Sequence, residues 1–521
     1  MTLPLTRADT AMGVHRHPAS TAIQRITRDK LAETVSVKDF GAKGDGVTDD
    51  AAACQAAYTW AKDHGAAVFW PAGRYRLTQQ ITIDQSGNVG EDEKRVDTIG
   101  AGAGCTVLLP EHSNYCLFLN GPEATTGALH AYQRIEGVRI QGGANCIAIG
   151  GKNLPYFAVE NCVILNCKEG MYFEDILSST FTNVIVRGCQ KGFTGRIGYT
   201  PSDPSDYESG PNNLNFLGCT FSSCSQYGVY LRGGTTLNLF GGSIENNGIG
   251  GSGERWGVRL DNPGVNGATG MLAAGVYFEN NAGNADIWII QADAASDPIG
   301  LGCSFAVEGC TFNRTSGTNY VTNNIRFDTN ATPGALSVIG CGFAAFNDYS
   351  PSVDRPCIQL PTAGRGWKAV QKGNFFSAGA DAPLWTETPS FTSLLSSDQG
   401  ISNATTSTVN FMRSEDYGGC FDDSDHSFVA PYNVRMQFNI QLQYTGTMSS
   451  GNYATVELRV NGNLAREYTV TVNGAQGLPL STTLNLLKND RVQVKTYVNT
   501  GGASRTLSSL PAVTYFDGRP A

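Results

Sequence analysis

Gly241-Gly242-Ser243-Ile244-Glu245-Asn246-Asn247 returns 34 residues later as Gly275-Val276-Tyr277-Phe278-Glu279-Asn280-Asn281, and this internal copy constrains the fold more than any other feature. The same short unit, an apolar residue between outward-type residues and introduced by Gly or Asn, continues in both directions. Upstream stand Asn161-Cys162-Val163-Ile164-Leu165, Asn183-Val184-Ile185-Val186-Arg187 and Gly218-Cys219-Thr220-Phe221-Ser222; downstream stand Gly309-Cys310-Thr311-Phe312-Asn313 and Gly340-Cys341-Gly342-Phe343-Ala344. With Leu165, Arg187, Ser222, Glu245, Glu279, Asn313 and Ala344 as equivalent positions, successive copies lie 22, 35, 23, 34, 34 and 31 residues apart. Spacings of this size belong to solenoid rungs, none of which can bury its apolar face alone. Within a copy the residues alternate, so Cys219 and Phe221 face one side of a strand and Thr220 and Ser222 the other. Short strands rich in aromatic and β-branched residues, separated by Gly and Asn, predict an all-β chain built as a parallel β-helix.

In such a stack equivalent residues of neighbouring rungs sit ~4.8 Å apart, which predicts that Glu245 and Glu279 form an adjacent carboxylate pair on the outer surface. A second outward column is legible one strand later: Tyr172, Tyr230, Arg259, Trp288, Arg326 and Gln359, each between apolar residues, as in Ile287-Trp288-Ile289. Exposed Tyr and Trp in line with Arg suit stacking on sugar rings and pairing with acidic substituents. The same residue types also suit an interface between subunits. Asp261, Glu174 and Asp328 lie two residues beyond members of this column and are the reserve acids.

The 521 residues carry a net charge of −9 with a pI near 5.3, which argues against nucleic acid or an anionic membrane as a partner. Charged residues make up only 16% and Gly numbers 62, as turn-rich β structure requires. No run of 18 apolar residues occurs, and Met1 to Thr21 lacks the apolar core of a signal peptide, so folding in a cytosol is expected. Of the 14 Cys, Cys162, Cys219, Cys310 and Cys341 share one repeat position and Cys167, Cys189 and Cys224 another; such columns read as small apolar side chains in a core. Neither a paired Cys-x-x-Cys unit nor a His cluster suggests a metal, and no cofactor is expected.

Residues 1–34 are polar and carry five Lys or Arg without periodicity, as a disordered tail or a docking peptide would. Then comes Asp39-Phe40-Gly41-Ala42-Lys43-Gly44-Asp45-Gly46, followed by Thr48 as a natural N-cap, Asp49 and Asp50, an Ala-rich helix to His64, and Gly65 to end it. Such a helix would cover open sheet edges at one end of the solenoid. Ala67-Val68-Phe69-Trp70-Pro71-Ala72-Gly73-Arg74-Tyr75-Arg76-Leu77 reads as the first strand and turn. Gly100-Ala101-Gly102-Ala103-Gly104 precedes a strand, not a helix, and is a tight turn and no phosphate loop.

These two segments, with their Asp-Phe-Gly-Ala-Lys-Gly-Asp-Gly run and Pro-Ala-Gly-x-Tyr turn, resemble the opening module of the pectate-lyase-like β-helices of bacteriophage tailspikes. The resemblance implies a right-handed helix, a homotrimer, action on a bacterial surface polysaccharide such as capsule or O-antigen, and a place in the virion tail. It also casts 1–34 as a virion-docking arm held by another tail protein. Residues 35–80 then form the capping helix and first coils, 81–376 the β-helix, and 377–400 a linker, with Thr194 to Asn213 and Gly248 to Gly253 as loops beside a groove. Beyond the linker the repeat vanishes, and longer alternating strands such as Thr455-Val456-Glu457-Leu458-Arg459-Val460 run into Asn461-Gly462, a hairpin signal. Gly419-Cys420-Phe421-Asp422, Phe428-Val429-Ala430-Pro431, Leu487-Lys488-Asn489-Asp490-Arg491-Val492 and Thr514-Tyr515-Phe516-Asp517-Gly518 resemble the jelly roll of complement-type and tumour-necrosis-factor-like trimers. That resemblance implies that 401–521 is a trimerising or sugar-binding sandwich.

Two carboxylates ~4.8 Å apart repel, so one is expected to hold its proton and act as acid while the other acts as base or nucleophile. This is the combination that glycoside hydrolysis requires. Glu245 and Glu279 are therefore the candidate catalytic residues, with Arg187, Tyr230, Arg259, Trp288 and Asp261 as candidate substrate-binding residues. Three other readings stand beside it: Glu-Asn-Asn as a corner with stacked amides, β-elimination on a uronate polymer with Arg187, Tyr230 and Arg259 taking part, and a non-enzymatic adhesin.

Overall fold

The computed structural model describes the short strands Val14–His15 and Arg25–Ile26 and then residues 33–86, 95–121, 132–196, 211–233, 236–253, 255–262, 270–291, 303–313, 321–329, 334–344, 357–359, 368–377, 390–417, 420–430, 434–446, 448–474, 477–487 and 489–521. The expected docking arm, 1–34, thus lies outside the described residues apart from those two strands and its last two residues, Glu33 and Thr34.

The chain is nearly all β. Three parallel sheets run the length of a β-helix, with 12, 12 and 10 strands among the described residues. The first sheet starts at Thr34–Ser36 and ends at Lys368–Lys372; the second runs from Asp45–Asp49 to Phe375–Ser377; the third from Ile81–Asp84 to Ile358–Gln359. Each strand pairs with its equivalent in the next rung, so the register can be followed residue by residue.

The corner between the first and second sheets explains why every repeat begins with Gly or Asn. Gly137, Asn161, Asn183, Gly218, Gly241, Gly275, Gly309 and Gly340 occupy that corner with φ between 50° and 69°. A β-carbon is costly in this left-handed region, and Gly and Asn tolerate it best. The corner leaving the second sheet repeats the device with Asn166, Asn246 and Asn280, at φ 57°, 57° and 50°. The Asn after each Glu of the pair therefore suits the backbone, at a corner that Gly188 and Ser223 fill in other rungs at φ 70° and 55°.

Between corners the inward residues stack into ladders. Phe278, Phe312 and Phe343 lie parallel with ring centroids 4.8 Å apart, one rung spacing. Each such ring removed from water contributes roughly 1.5–3 kcal/mol. The Cys columns lie in the same interior, with Cys162, Cys167, Cys189, Cys219, Cys224, Cys310 and Cys341 all buried and unbridged. Asn247 and Asn281 turn inward and form a buried amide ladder, Asn247 Nδ2 donating to Asn281 Oδ1 at 2.9 Å and Asn281 Nδ2 to Asp286 Oδ1 at 2.9 Å.

At the first coils the helix Ala51–His64 buries Ala51, Cys54, Ala57, Tyr58 and Ala61, a stripe of helical spacing, against the opening strands of the first and third sheets. Gly65 closes it in the left-handed region at φ 64°. Its start differs from expectation. Asp45–Asp49 is a strand of the second sheet, Thr48 donates its hydroxyl to Asp45, and the N-cap is Asp50. The Asp50 carboxylate accepts the Lys43 and Gly44 amides at 2.6 and 2.9 Å instead of capping, which ties the Gly-rich turn to the helix.

Two further expectations change. Thr194 to Arg196 belong to the strand Lys191–Arg196 and not to a loop. Ser390–Leu395 and Gln399–Ile401, read as linker, are strands of the C-terminal antiparallel sheets. Those sheets, of seven and six strands on their main paths and branches, enclose a second core that includes Phe391, Phe411, Phe428, Phe438 and Phe516. The Asn461-Gly462 hairpin forms as expected, with Val460 paired to Asn463 and both turn residues at positive φ.

Candidate functional site

The second sheet carries the column read from the repeats in unbroken register: Leu165, Arg187, Ser222, Glu245, Glu279, Asn313 and Ala344 are successive strand partners. Glu245 and Glu279 are direct neighbours, both half-buried on the outer face. Asn313 donates its amide to Glu279 at 3.2 Å and to the Tyr277 hydroxyl at 3.0 Å. The Glu245 carboxylate has no hydrogen-bond or ion-pair partner among the described residues. Arg187 is exposed in the same column, separated from Glu245 by the buried Ser222.

Tyr230, Arg259 and Trp288 lie instead on the third sheet, so the structure does not bring them to the Glu pair. Their column is also in register, as Tyr172, Thr194, Tyr230, Arg259, Trp288, Arg326 and Gln359. Thr194, in a stretch expected to be loop, completes it. The expectation that the whole column stands exposed fails for two members: Arg259 is 8% and Trp288 9% exposed. The reason is mutual packing. The Arg259 guanidinium lies 4.5 Å from the Trp288 ring, 4.8 Å from Trp256 and 5.3 Å from Tyr230, and its Nη2 pairs with Asp261 at 2.9 Å. Such cation–π contacts gain strength when desolvated.

The reserve acids are likewise engaged. Asp261 also accepts the Tyr230 hydroxyl at 3.2 Å, and burial first, then Asp261, pushes the Tyr230 phenol up to about 12. Asp328 accepts Trp288 Nε1 at 2.8 Å and pairs with Arg326. Glu174 accepts the Tyr172 hydroxyl at 2.8 Å and has Arg196 Nε at 3.7 Å.

Sequence reasoning missed a third group on this face. Glu169, Lys191, Tyr227 and Trp256 are successive partners, three residues before Tyr172, Thr194, Tyr230 and Arg259. Residues three apart on a strand should face opposite ways, yet Thr194 Oγ1 donates to the Glu169 carboxyl and shares a 2.9 Å hydrogen bond with the Tyr227 hydroxyl. The alternation breaks at the next residue, which is Gly170, Gly192, Gly228 and Gly257 in turn. A β-carbon there would lie 2.1 to 2.8 Å from the carbonyl oxygen of the following rung. The recurring x-Gly-apolar unit was the available signal. Glu169 is 3% exposed, and burial raises its pKa against the smaller opposing pull of Thr194, Lys191 and Lys168.

Comparison with known proteins bears on the opening coils most directly. The family described as Rhamnogalacturonase A/epimerase, pectate lyase-like, matches residues 34–114. Alginate lyase 7 of Azotobacter vinelandii is 43% identical over 79 residues, which is 14% of this chain and 8% of that protein. Among solved structures, Geobacillus virus E2 ORF18 is similar with a TM-score of 0.48 at 17% identity, covering 91% of this chain and 84% of its own. The Dettilon tailspike protein gives a TM-score of 0.45 at 12% identity and covers 95% of both chains. The stretch matched by the family model is thus the helix-capped start of the solenoid, and the Glu pair lies downstream of residues 34–114.

Proposed function

We propose that this protein binds and cleaves a polysaccharide, with Glu245 and Glu279 as the reacting carboxylates. The observation that carries the reading is the pair itself: two like charges in adjacent rungs, half-buried, with neither in an ion pair among the described residues. Two carboxylates directly opposite one another destabilise a sheet, and although Asn313 donates to Glu279, Glu245 has no structural partner among the described residues to offset that cost. The chemistry is hydrolysis, one carboxyl protonating the leaving oxygen and the other activating water or attacking the sugar. The setting is a phage tailspike: a homotrimer on the virion tail, joined through residues 1–34 to another tail protein, acting on a bacterial capsule or O-antigen, with a C-terminal trimerising jelly roll. Support for that setting comes from the opening motif, within the stretch matched by the pectate-lyase-like family.

Digestion of purified capsular and O-antigen polysaccharides by the wild type, Glu245→Gln and Glu279→Gln tests the reading. Saturated oligosaccharides are expected, with each variant slower by about 10²–10⁴-fold while its assembly state is unchanged. Unsaturated uronate ends would make the protein a lyase. Full activity in both variants would remove the pair from the chemistry, and intact polymer throughout would leave an adhesin.

A further inference from the structure

We propose that the outer face of the third sheet holds a binding site for the carboxylate of an acidic sugar, centred on Arg232 and Arg196. This site is separate from the Glu pair, which lies on the second sheet. Glu174, Arg196, Arg232 and Asp261 are successive strand partners, so two guanidinium groups follow one another at rung spacing on the same face. Like charges in neighbouring rungs are unfavourable unless something negative lies between them. Neither flanking acid fills that role for Arg232. Asp261 turns to Arg259 and Tyr230, and Glu174 to Tyr172 and, at 3.7 Å, Arg196. Arg232 is left exposed with no acidic partner among the described residues.

The two arginines stand beside half-buried rings, Tyr172 and Tyr230, whose hydroxyls are already held by Glu174 and Asp261. A planar guanidinium fork matches a carboxylate bidentately, and a fixed phenol ring offers a platform for the face of a sugar. The combination fits a carboxylated sugar ring within a chain. A positive pair is conspicuous in a protein of net charge −9, which otherwise repels acidic polymers.

The test is affinity electrophoresis of the full-length protein through polygalacturonate, and through the same polymer with its carboxyl groups methyl-esterified, at low and high ionic strength. Wild type is expected to be retarded by the acid form at low salt and not by the ester. Arg232→Gln and Arg196→Gln should each weaken retardation about tenfold, the scale of a lost charge-assisted hydrogen bond. Arg413→Gln, an equal change of charge in the C-terminal sheets, should behave as wild type. Equal retardation by acid and ester, retention unchanged in Arg232→Gln, or no retardation by the acid form would overturn the site. Because binding is read without turnover, the result stands apart from the fate of Glu245 and Glu279.

Discussion

At Glu169 the strand column and the burial pull in opposite directions, and the outcome is readable in pH. The carboxyl is 3% exposed, takes a hydrogen bond from Thr194, and has Lys191 as its strand partner. Burial raises its folded pKa above the value in the unfolded chain, where a glutamic acid ionises near about 4.3. Between those two values the folded state binds the extra proton, so stability is fully present below the unfolded pKa and falls as pH rises through the folded one. Glu169→Gln keeps the shape and removes the titration. Melting temperatures of both proteins from pH 4 to pH 8 are therefore expected to diverge, the wild type losing stability relative to the variant as pH rises. Parallel curves would show that Glu169 ionises in the fold as freely as in the open chain.

At the scale of the element, the line of Gly170, Gly192, Gly228 and Gly257, near the start of four consecutive third-sheet strands, decides how closely those rungs can approach. A β-carbon on Gly192 would stand 2.1 Å from the Gly228 carbonyl oxygen and 2.9 Å from the buried Phe221 ring, whereas one on Gly342 meets nothing within 4 Å. Gly192→Ala is expected to cost about 1–3 kcal/mol, as overpacking does, and Gly342→Ala to stay within about 0.5 kcal/mol. Chemical unfolding of the two variants checks the contrast, and equal losses would mean that the rungs shift to admit a methyl group. This line also shows what sequence could and could not disclose. The column from Leu165 to Ala344 was legible because left-handed corners demand Gly or Asn and interior positions demand apolar residues, both local requirements. Thr194 and Glu169 were not, because their facing depends on a break in alternation at a glycine packed against a carbonyl of the next rung, which period-two reasoning does not anticipate. The burial of Arg259 and Trp288 was hidden for a similar reason. Period-two reasoning tells which face a side chain takes, but not that three rings and a guanidinium on that face will cover one another.

At the scale of the molecule, two cores of different construction share one chain. The solenoid core extends from Val35 to Ile358 and the second from Phe391 to Phe516, with no residue in common. Rungs touch only their neighbours, so the solenoid's stability is a sum of rung and interface terms, while the antiparallel sheets close through long-range pairs such as Phe391 with Gly518. Among the described residues the two cores share no side chain, so each is expected to melt as its own unit. Calorimetry of the full chain is accordingly expected to show two transitions, and residues 390–521 expressed alone should reproduce one of them with a folded near-ultraviolet spectrum. Their assembly state, read by sedimentation, bears on the proposed trimerising role: a trimeric fragment would locate the oligomer contacts in these sheets, and a folded monomer would move them to the β-helix. A single transition in the full chain, together with an unfolded fragment, would show that the C-terminal sheets depend on the solenoid and that the two cores act as one unit.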